Sequence, residues 1–327
     1  MKKIVVIGGG TGTYAILKGL KSFPVHLSAI ISMTDSGGSN RVLRDEFGLL
    51  PTSDIRQCIA ALASDNANGL IRELFTYRYN QGTGISGMTF GNLFMAALAD
   101  ICGSQEAAIE KTCQLLEVKG DIIPVTLDNT HLVARYENGE QVLGEHHIDE
   151  PDERLGNLKI VGLETFPPAR VNPKAKKAIA EADLIILGPG DLYTSIICNL
   201  VVGNIATNIK RSKASKVFVV NLMTKFGQTN NFTAQNHINE LEKYLGMGSI
   251  NTALINQTTS YQKRILSRYS QEKAQPVVDD LNDNHLKVIR KNFVATEVYK
   301  NQNGDKLKRS LIRHDSEKLA KAVVDLL

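Results

Sequence analysis

The chain has 327 residues, of which 43% are hydrophobic, and its 38 basic and 34 acidic residues leave a net charge of +4. This length allows a large core, and so mild a charge gives no reason to expect a nucleic-acid partner. No run of about 18 apolar residues is present, so we expect no membrane insertion, and the four apolar residues after Lys2 and Lys3 are too few for a signal peptide.

The spacing of the four cysteines indicates the cellular compartment of the protein. Cys58, Cys102, Cys113 and Cys198 form no Cys-x-x-Cys pair. Such spacing is typical of reduced, mostly buried thiols, and we therefore expect a cytoplasmic protein.

The first predicted element is a strand that ends in a glycine loop. Residues 4–7 are a β-branched apolar run typical of a buried parallel strand, residues 8–12 read Gly-Gly-Gly-Thr-Gly, and residues 14–20 predict a helix. Free backbone N–H groups and the helix dipole would meet at this loop, which favours a bound phosphate. The alternative is a tight turn without a ligand, since glycine also serves sharp turns.

A second strand, predicted over residues 27–32, ends in residues 33–39, Met-Thr-Asp-Ser-Gly-Gly-Ser. Asp35 stands about 20 residues past the first loop, where a dinucleotide-binding fold places an acid on the ribose. The first loop does not fit G-x-G-x-x-G, however, so an NAD-dependent enzyme is disfavoured. The hydroxyls around Asp35 better suit a second phosphate, a sugar or a metal-bound water.

The next stretch supplies charged candidates and a helix start. Arg44 and Arg56 could each reach a bound anion or pair with neighbouring acids on the surface. Thr52, Ser53 or Asp54 could cap a helix over residues 55–63, and Asp54 as a plain N-cap is the simplest interpretation.

Two predicted helices frame a glycine-rich loop. Residues 70–77 predict a helix, residues 80–87 a loop that could act as a mobile lid, and residues 90–98 open an almost wholly apolar, buried helix. Asn92 is polar in this apolar setting. Because a buried amide must be hydrogen-bonded, Asn92 either caps the helix or touches a ligand. Residues 104–118 then predict an amphipathic helix with Ser104 as its N-cap.

A small β-rich insertion is predicted over about residues 129–170 of a single domain that spans residues 1–327. Residues 122–127 predict a strand, residues 131–136 and 141–144 alternate around Glu-Asn-Gly-Glu as a hairpin, and residues 158–164 add a strand. Residues 145–150, Glu-His-His-Ile-Asp-Glu, contain metal-binding types. They have no spaced partner, so we interpret them as a solvated loop rather than a zinc site.

The second half repeats the pattern of strand, small-residue loop and helix. A strand over residues 183–187 ends in Gly-Pro-Gly at 188–190, a helix covers residues 196–210, and a strand over residues 217–220 ends in residues 221–227. A helix over residues 173–181 precedes them. Thr233 caps a helix to residue 245, and residues 251–255 form the last core strand.

The tail is more polar. It predicts a helix over residues 262–269, a strand over residues 307–312 and a final helix capped by Asp315.

At least four predicted strands thus end in loops of small residues. Carboxyl ends of parallel strands share one edge of a sheet, where open α/β folds bind ligands. We therefore expect an α/β, Rossmann-like, open and mostly parallel sheet flanked by helices, with a ligand that carries two phosphates and a ribose.

These motifs resemble those of the CofD-like superfamily, and most closely its YvcK group of gluconeogenesis factors, also called UPF0052. The matching stretches run from end to end, at residues 8–12, 33–39, 43–46, 54–56, 91–93, 188–190, 192–195, 221–224 and 312–315. The sequence departs from that pattern at Gln228 and Asn230, where acids are commoner, and at Asn40, where serine is.

The resemblance implies a dimeric, non-catalytic regulator that binds a UDP-sugar such as UDP-GlcNAc and needs no cofactor. Such a protein supports cell shape and cell-wall supply on gluconeogenic carbon sources, with regulatory protein partners. The alternative is the CofD branch, which transfers a 2-phospholactyl group to a deazaflavin from a nucleotide-linked donor with Mg²⁺. In that case Asp35 would bind the metal or steer the acceptor, and Asp191 would be a second metal carboxylate.

Two residues near the C-terminus have a role in the first hypothesis. Arg313 would bond the uridine diphosphate and Tyr269 would stack on the base; the alternatives are a surface or packing arginine and a packing tyrosine. The predicted ligand contacts are Gly8, Gly9, Gly10, Thr11, Gly12, Asp35, Ser36, Gly37, Gly38, Ser39, Arg44, Asn92, Gly188, Gly190, Asp191, Tyr193, Thr194, Ser195, Asn221, Thr224, Tyr269 and Arg313.

Overall fold

The computed structural model describes residues 1–37, 40, 44, 48–64, 69–257, 261–282, 286–297 and 310–327. The strands there are β1 (Lys2–Gly8), β2 (Val25–Ile31), β3 (Asp121–Pro124), β4 (His131–Tyr136), β5 (Gln141–Leu143), β6 (Ile160–Phe166), β7 (Leu184–Leu187), β8 (Ser215–Val219), β9 (Thr252–Asn256) and β10 (Lys287–Lys291).

The α-helices in the same ranges are α1 (Gly10–Leu20), α2 (Ser53–Leu62), α3 (Gly69–Thr76), α4 (Phe90–Cys102), α5 (Gln105–Leu115), α6 (Glu145–Asp149), α7 (Glu153–Gly156), α8 (Pro173–Glu181), α9 (Cys198–Leu200), α10 (Ile205–Arg211), α11 (Ala234–Leu245), α12 (Lys263–Gln271) and α13 (Ser316–Val324). A π-helical turn, Leu192–Ile197, precedes α9.

Strand β1 lies inside a seven-stranded parallel sheet of order β10-β9-β8-β7-β1-β2-β3. It pairs in parallel with β2 on one side and with β7 on the other. Ile4 and Ile7 at its centre are fully buried, as the unbroken apolar run predicts for a strand covered on both faces. The strand order reverses between β1 and β7, and the predicted Rossmann-like parallel sheet is confirmed.

A second, antiparallel sheet of order β5-β4-β6 lies within the predicted insertion. The predicted hairpin is confirmed, since β4 and β5 pair in register from Val133–Leu143 to Arg135–Gln141. The prediction of a solvated loop over residues 145–150 is wrong. Residues Glu145–Asp149 form helix α6, and Ile148 in this helix is buried against the sheet. A helix is possible here because a single buried side chain anchors one short turn.

Two element predictions in the second half are also wrong. The continuous helix over residues 196–210 breaks between α9 and α10, where Gly203 takes a left-handed φ of 49°. Residues 251–255 do form a buried strand, β9, but the sheet continues beyond it, because the half-buried strand β10 pairs with β9 at the edge. Strand β10 was missed because Lys287, Arg290 and Lys291 interrupt its apolar pattern. Of the strand predicted over residues 307–312, residues 307–309 lie outside the described residues and residues 310–312 form no strand.

Helix starts follow the predicted capping residues in most cases. Ser104, Thr233 and Asp315 each accept a backbone N–H as N-caps. Asp54 as N-cap is wrong, since Thr52 holds that position without a side-chain bond. Thr89, not Asn92, caps α4.

No single helix in the ranges that the structure describes is long and apolar enough to cross a membrane. The pair Leu192–Leu200 and Ile205–Arg211 meets the requirement by length and composition only, and it is bent by 78°.

The four cysteines are free, with Cys58 and Cys198 buried and the other two half-buried. Burial raises the pKa of Cys198 to about 12, so it is a neutral thiol at pH 7.

Glycine at position 12 is required by the junction of β1 and β7. A Cβ there would overlap the backbone carbonyl of Pro189. We therefore predict that Gly12→Ala lowers the free energy of unfolding by about 2 kcal/mol, because a rigid backbone neighbour cannot yield.

Urea unfolding measures this cost. The matched control is Gly37→Ala, whose Cβ would meet nothing closer than 3.5 Å. Equal stability of the two variants would contradict the close approach of the loops.

Candidate functional site

A cleft of about 1590 Å³ lies at the carboxyl edge of the parallel sheet, where the strand order reverses. Open α/β sheets bind their ligands at this place. The loops after β1, β2, β7 and β8 form its floor together with α6, and the segments 269–274 and 310–316 form its rim.

The first glycine loop is shaped by its neighbours. A Cβ on Gly9 would lie 2.5 Å from Oδ2 of Asp54, and one on Gly12 would overlap Pro189. Gly10 has a φ of 64° and open space on most sides. Close packing is thus a sufficient reason for glycine at 9 and 12, while Gly10 and Thr11 present their backbone to the cleft. The Asp54 carboxylate lies against this loop at the start of α1.

Asp35 is held by a network that the sequence did not indicate. Its carboxylate accepts the Gly37 N–H at 2.8 Å and the Asn40 side-chain amide at 2.5 Å. Oδ1 of Asn40 in turn accepts N–H groups of Thr52 and Ser53 at 3.1 and 3.2 Å, which replaces the missing cap of α2. Asn40 therefore ties the loop after β2 to α2. The predicted contacts Gly38 and Ser39 lie outside the described residues.

Helix α6 brings two carboxylates that sequence reasoning missed. Glu145 and Asp149 are four residues apart and both line the cleft. Ser36 N–H approaches Glu145 Oε2 at 3.5 Å. Burial, with repulsion from Asp35 and Asp149, raises the pKa of Glu145 well above its ordinary value. The sequence feature that could have indicated this helix is the i, i+4 spacing of the two acids beside the apolar Ile148.

Lys225 lies between two of the acids in the cleft. Its Nζ bonds Asp149 Oδ1 and lies 2.7 Å from Asp191 Oδ2. Burial opposes the charged form of Lys225, but the two carboxylates outweigh it, so the pKa of Lys225 lies above its ordinary value. For Asp149, burial raises the pKa, yet Lys225 and hydrogen bonds from Thr194 and Gln228 bring it below the ordinary value. Lys225 and Asp149 therefore stay charged at neutral pH.

Asn221, after β8, contributes an unused acceptor. Its Nδ2 donates to Gly190 O at 2.7 Å, whereas its buried Oδ1 has no hydrogen-bond partner in the part of the chain that the structure describes. Such a group calls for a partner that a ligand or water could supply. Ser195 lines the cleft beside it, and Thr224 lines it with its hydroxyl bonded to Gln275 N–H at 3.0 Å.

Tyr269 and Arg313 both line the rim of the cleft. The Tyr269 hydroxyl accepts the N–H groups of Leu311 and Ile312 at 3.0 and 3.1 Å. Arg313 Nε donates to Ser310 O at 3.1 Å, and both side chains line the cleft. Tyr269 thus positions the segment that carries Arg313.

Of the predicted contacts that the structure describes, six do not line the cleft: Gly8, Ser36, Arg44, Asn92, Gly188 and Tyr193. Arg44 instead donates to Thr130 O at 2.8 Å and joins the core to the insertion. Asn92 is buried and accepts from Arg56 Nε at 3.1 Å. Tyr193 is buried, with its hydroxyl 3.4 Å from Ile160 O. The structure gives these three side chains supporting contacts beside the cleft.

The family of this chain follows from comparison with known proteins. The profile of the family described as "2-phospho-L-lactate transferase CofD" matches residues 4–294. The chain belongs to the CofD family.

Within this family, its relatives include gluconeogenesis factors. A relative from Aquifex aeolicus is 40% identical over 100% of this chain and 98% of its own length. A Bacillus subtilis protein named "Gluconeogenesis factor" is 37% identical over 99% of this chain and 98% of its own. A crystal structure of a UPF0052 family member from Bacillus halodurans superposes with a TM-score of 0.88 at 32% identity, covering 99% of this chain and 100% of that one.

The Mg²⁺ that the CofD family implies has no preformed site among the described residues. No three His, Cys, Asp or Glu side chains converge there to hold an ion. Lys225 engages Asp149 and Asp191, and Gly37 and Asn40 engage Asp35. These carboxylates by themselves therefore do not fit a protein-only magnesium cage.

The raised pKa of Glu145 predicts a pH-dependent gain from Glu145→Gln. Glutamine mimics the protonated side chain, which the folded state favours, so the variant should be more stable above the raised pKa. We expect the Tm of the variant to exceed that of the unmodified chain by about 2 °C at pH 8, which corresponds to ~1 kcal/mol of added stability. This gain should vanish as the pH falls to 4.5, the ordinary pKa of a glutamate.

Thermal unfolding from pH 4.5 to 8 checks this. The control variant is Glu164→Gln, because Glu164 is exposed. We expect its Tm to follow that of the unmodified chain at every pH. A gain that is larger at pH 4.5 than at pH 8 would refute the assignment.

Removal of the Lys225 charge should leave Asp149 and Asp191 without their shared cation. We predict that Lys225→Met lowers the free energy of unfolding by about 2 kcal/mol, less than for a fully buried pair because the network is partly exposed. Asp149→Asn in the same chain should recover part of this loss.

Urea titration of the single and double variants gives the coupling energy. The control is Lys3→Met, which breaks an ion pair with Glu181 that is exposed on both sides and should cost under about 1 kcal/mol. Strict additivity of Lys225→Met and Asp149→Asn would count against the network.

Proposed function

We propose that this cleft binds a nucleotide sugar of the UDP class, such as UDP-GlcNAc, and that the protein is a non-catalytic cytoplasmic regulator. It would support cell-wall supply and cell shape on gluconeogenic carbon sources, acting through regulatory protein partners. The observation that carries the proposal is the wide cleft at the reversal of strand order, in a chain whose relatives include proteins named gluconeogenesis factor.

The size of the cleft supports a long ligand. Pockets for small molecules commonly measure 300–1,000 Å³, and this one reaches about 1590 Å³. It extends from the glycine loop over the sheet to the rim at Tyr269 and Arg313. A nucleoside, a diphosphate and a sugar in a row would fill that path.

The polar groups along the path suit the parts of such a ligand. Arg313 at the rim would pair with the diphosphate, and the face of Tyr269 would stack on the uracil. The start of α1 at Gly10 and Thr11 offers backbone N–H groups to phosphate or sugar oxygens. The unused Oδ1 of Asn221 would accept a hydroxyl or amide hydrogen of the sugar.

The charges favour binding at the rim over the floor for the diphosphate. Asp35, Asp54, Glu145 and Asp149 all line the deeper part of the cleft. A diphosphate placed among them would be repelled unless a cation accompanied it. Sugar hydroxyls, by contrast, are good donors to carboxylates. We therefore place the sugar toward the acids and the diphosphate toward Arg313.

The alternative function is a CofD-like transferase, and one contact favours it. The Thr194 hydroxyl donates to Asp149 Oδ1 at 2.8 Å, as a nucleophile would to its base. Lys225 and Gln228 bond the same oxygen, the latter at 3.0 Å. Although burial raises the pKa of Asp149, these partners bring it below the ordinary value, so Asp149 is a poor base. Binding without turnover is therefore the preferred proposal.

A thermal-shift panel of UDP-GlcNAc, GDP and NAD, each with and without Mg²⁺, tests the function. Ligand at 100 times its Kd stabilises the folded state by about 2.7 kcal/mol. We expect UDP-GlcNAc alone to raise the Tm without Mg²⁺. Arg313→Ala should weaken that binding by about 10- to 100-fold, the loss expected for one charged hydrogen-bond partner.

The control variant is Arg264→Ala, because Arg264 is exposed on α12 and does not line the cleft. Absence of any shift with uridine nucleotides would reject the proposal. Turnover of a nucleotide-activated donor in the presence of Mg²⁺ would favour the transferase instead.

A further inference from the structure

His314 lies at the rim of the cleft with its ring bonded to the edge of the sheet. It is half-buried in the segment 310–316 and lines the cleft. Its ring forms a hydrogen bond with the backbone of Val220, the residue that follows β8. The Val220 N–H already donates to Leu254 O at 3.0 Å, so the partner of the ring is the Val220 carbonyl. A carbonyl only accepts, and the ring nitrogen that faces it therefore carries the hydrogen.

The other ring nitrogen of His314 is an acceptor without charge. Burial lowers the pKa of His314 to about 4, although the bond to Val220 acts in the opposite direction. The ring is therefore neutral at pH 7, with one nitrogen as donor and the other as acceptor. Because Val220 engages the donor, the acceptor is the ring atom that remains for a ligand in the cleft.

The backbone around His314 fixes the position of this acceptor. His314 forms an antiparallel bridge with Val294, and the next residue, Asp315, donates its N–H to Phe293 O at 2.7 Å. Phe293 is fully buried. The segment is thus held both by the core and by the ring bond to the sheet edge. A group held in this way loses little conformational freedom when a ligand binds to it.

His314 and Tyr269 border the same end of the cleft. The Tyr269 hydroxyl accepts the N–H groups of Leu311 and Ile312, the second of which lies two residues before His314. Tyr269 and Ile312 also share an apolar cluster with Leu222, in the loop after β8. The proposed function places the uracil on the face of Tyr269, and the present inference rests on that proposed function.

We propose that the second ring nitrogen of His314 accepts the N3–H of a uracil base and so selects uracil over cytosine. The Watson–Crick edge of uracil carries one donor, N3–H, between two carbonyl acceptors. Cytosine has a bare nitrogen at the same position, so its lone pair would face the lone pair of His314. A site built to accept a hydrogen bond rejects an analogue that lacks the donor, because a buried polar group is then left unpaired.

Two carboxylates in the rim are the competing acceptors. Glu272 and Glu297 also line the cleft. Arg268 Nε approaches Glu272 Oε1 at 3.5 Å, and Glu297 is exposed. Water replaces a lost partner at an exposed carboxylate, which makes such a group a poor judge of the base. The half-buried ring of His314 is less open to water, so a mismatch costs more there.

Calorimetric titration at pH 7 with UDP, CDP and N3-methyl-UDP tests the proposal. The methyl group replaces the one donor of the uracil edge. The unmodified chain should bind UDP at least about 10-fold more tightly than either of the other two, because each leaves the acceptor unpaired. His314→Phe keeps a planar ring but has no acceptor, so its three affinities should lie within about 2-fold of one another.

Two further variants assign the effect to the acceptor. His314→Gln should restore most of the preference for UDP, because a glutamine amide offers a donor to Val220 and an acceptor to the base. The matched control is Glu297→Gln, which changes a competing acceptor and should keep the full preference of the unmodified chain. Circular dichroism confirms that each variant is folded, and His314→Leu replaces His314→Phe should the latter fail to fold.

A preference for UDP that persists in folded His314→Phe, or that is lost in Glu297→Gln instead, would overturn the role of His314 and leave the proposed function intact. Equal weakening of all three ligands in His314→Phe would indicate a structural role and would likewise overturn the inference. An unmodified chain that binds no uridine nucleotide would reject the proposed function and this inference together.

Discussion

The architecture of the cleft depends on one backbone contact, the approach of the loop after β1 to the loop after β7. Gly12 lies so close to the Pro189 carbonyl that a side chain has no room. Asn199 Nδ2 reaches Gly8 O at 3.4 Å, and Asn221 Nδ2 reaches Gly190 O at 2.7 Å, which joins further segments to the same point. Since the strand order reverses there, this contact sets where the floor of the cleft lies.

The second constraint on the cleft is the electrostatic balance among its charged side chains. The insertion folds back so that Glu145 and Asp149 on α6 enter a site that already holds Asp35. Such proximity of like charges raises the free energy of the folded state unless protons or cations compensate. Lys225 compensates on one side, and a raised pKa of Glu145 does so on the other. The deeper cleft is thus acidic and hydrogen-bonding, whereas the rim carries Lys273 and Arg313 together with the acid Glu272. In the proposed function the sugar lies toward the acids and the diphosphate toward Arg313.

Sequence patterns succeeded where one local cause decides the outcome. The apolar runs of β1 and β7 predict buried parallel strands, and Thr233 and Asp315 predict helix starts, because each signal lies within a few residues of its effect. Patterns failed where distant contacts decide. Strand β10 pairs at an edge despite its charges, and the N-cap function for α2 comes from Asn40, twelve residues before Thr52.

The sequence by itself determined the order of strands, small-residue loops and helices, and hence the edge of the sheet at which a ligand site would form. Most of the predicted glycine and hydroxyl contacts at this edge line the cleft for that reason. Only the tertiary structure decided which charged side chains line the cleft. Residues 145–150 contain acidic and histidine side chains whose exposure cannot be read locally, and the fold of the insertion turned two of the acids inward. It likewise left one side of the apolar helix α4 in water, because burial depends on which elements remain to pack against it, and the described fold provides none there.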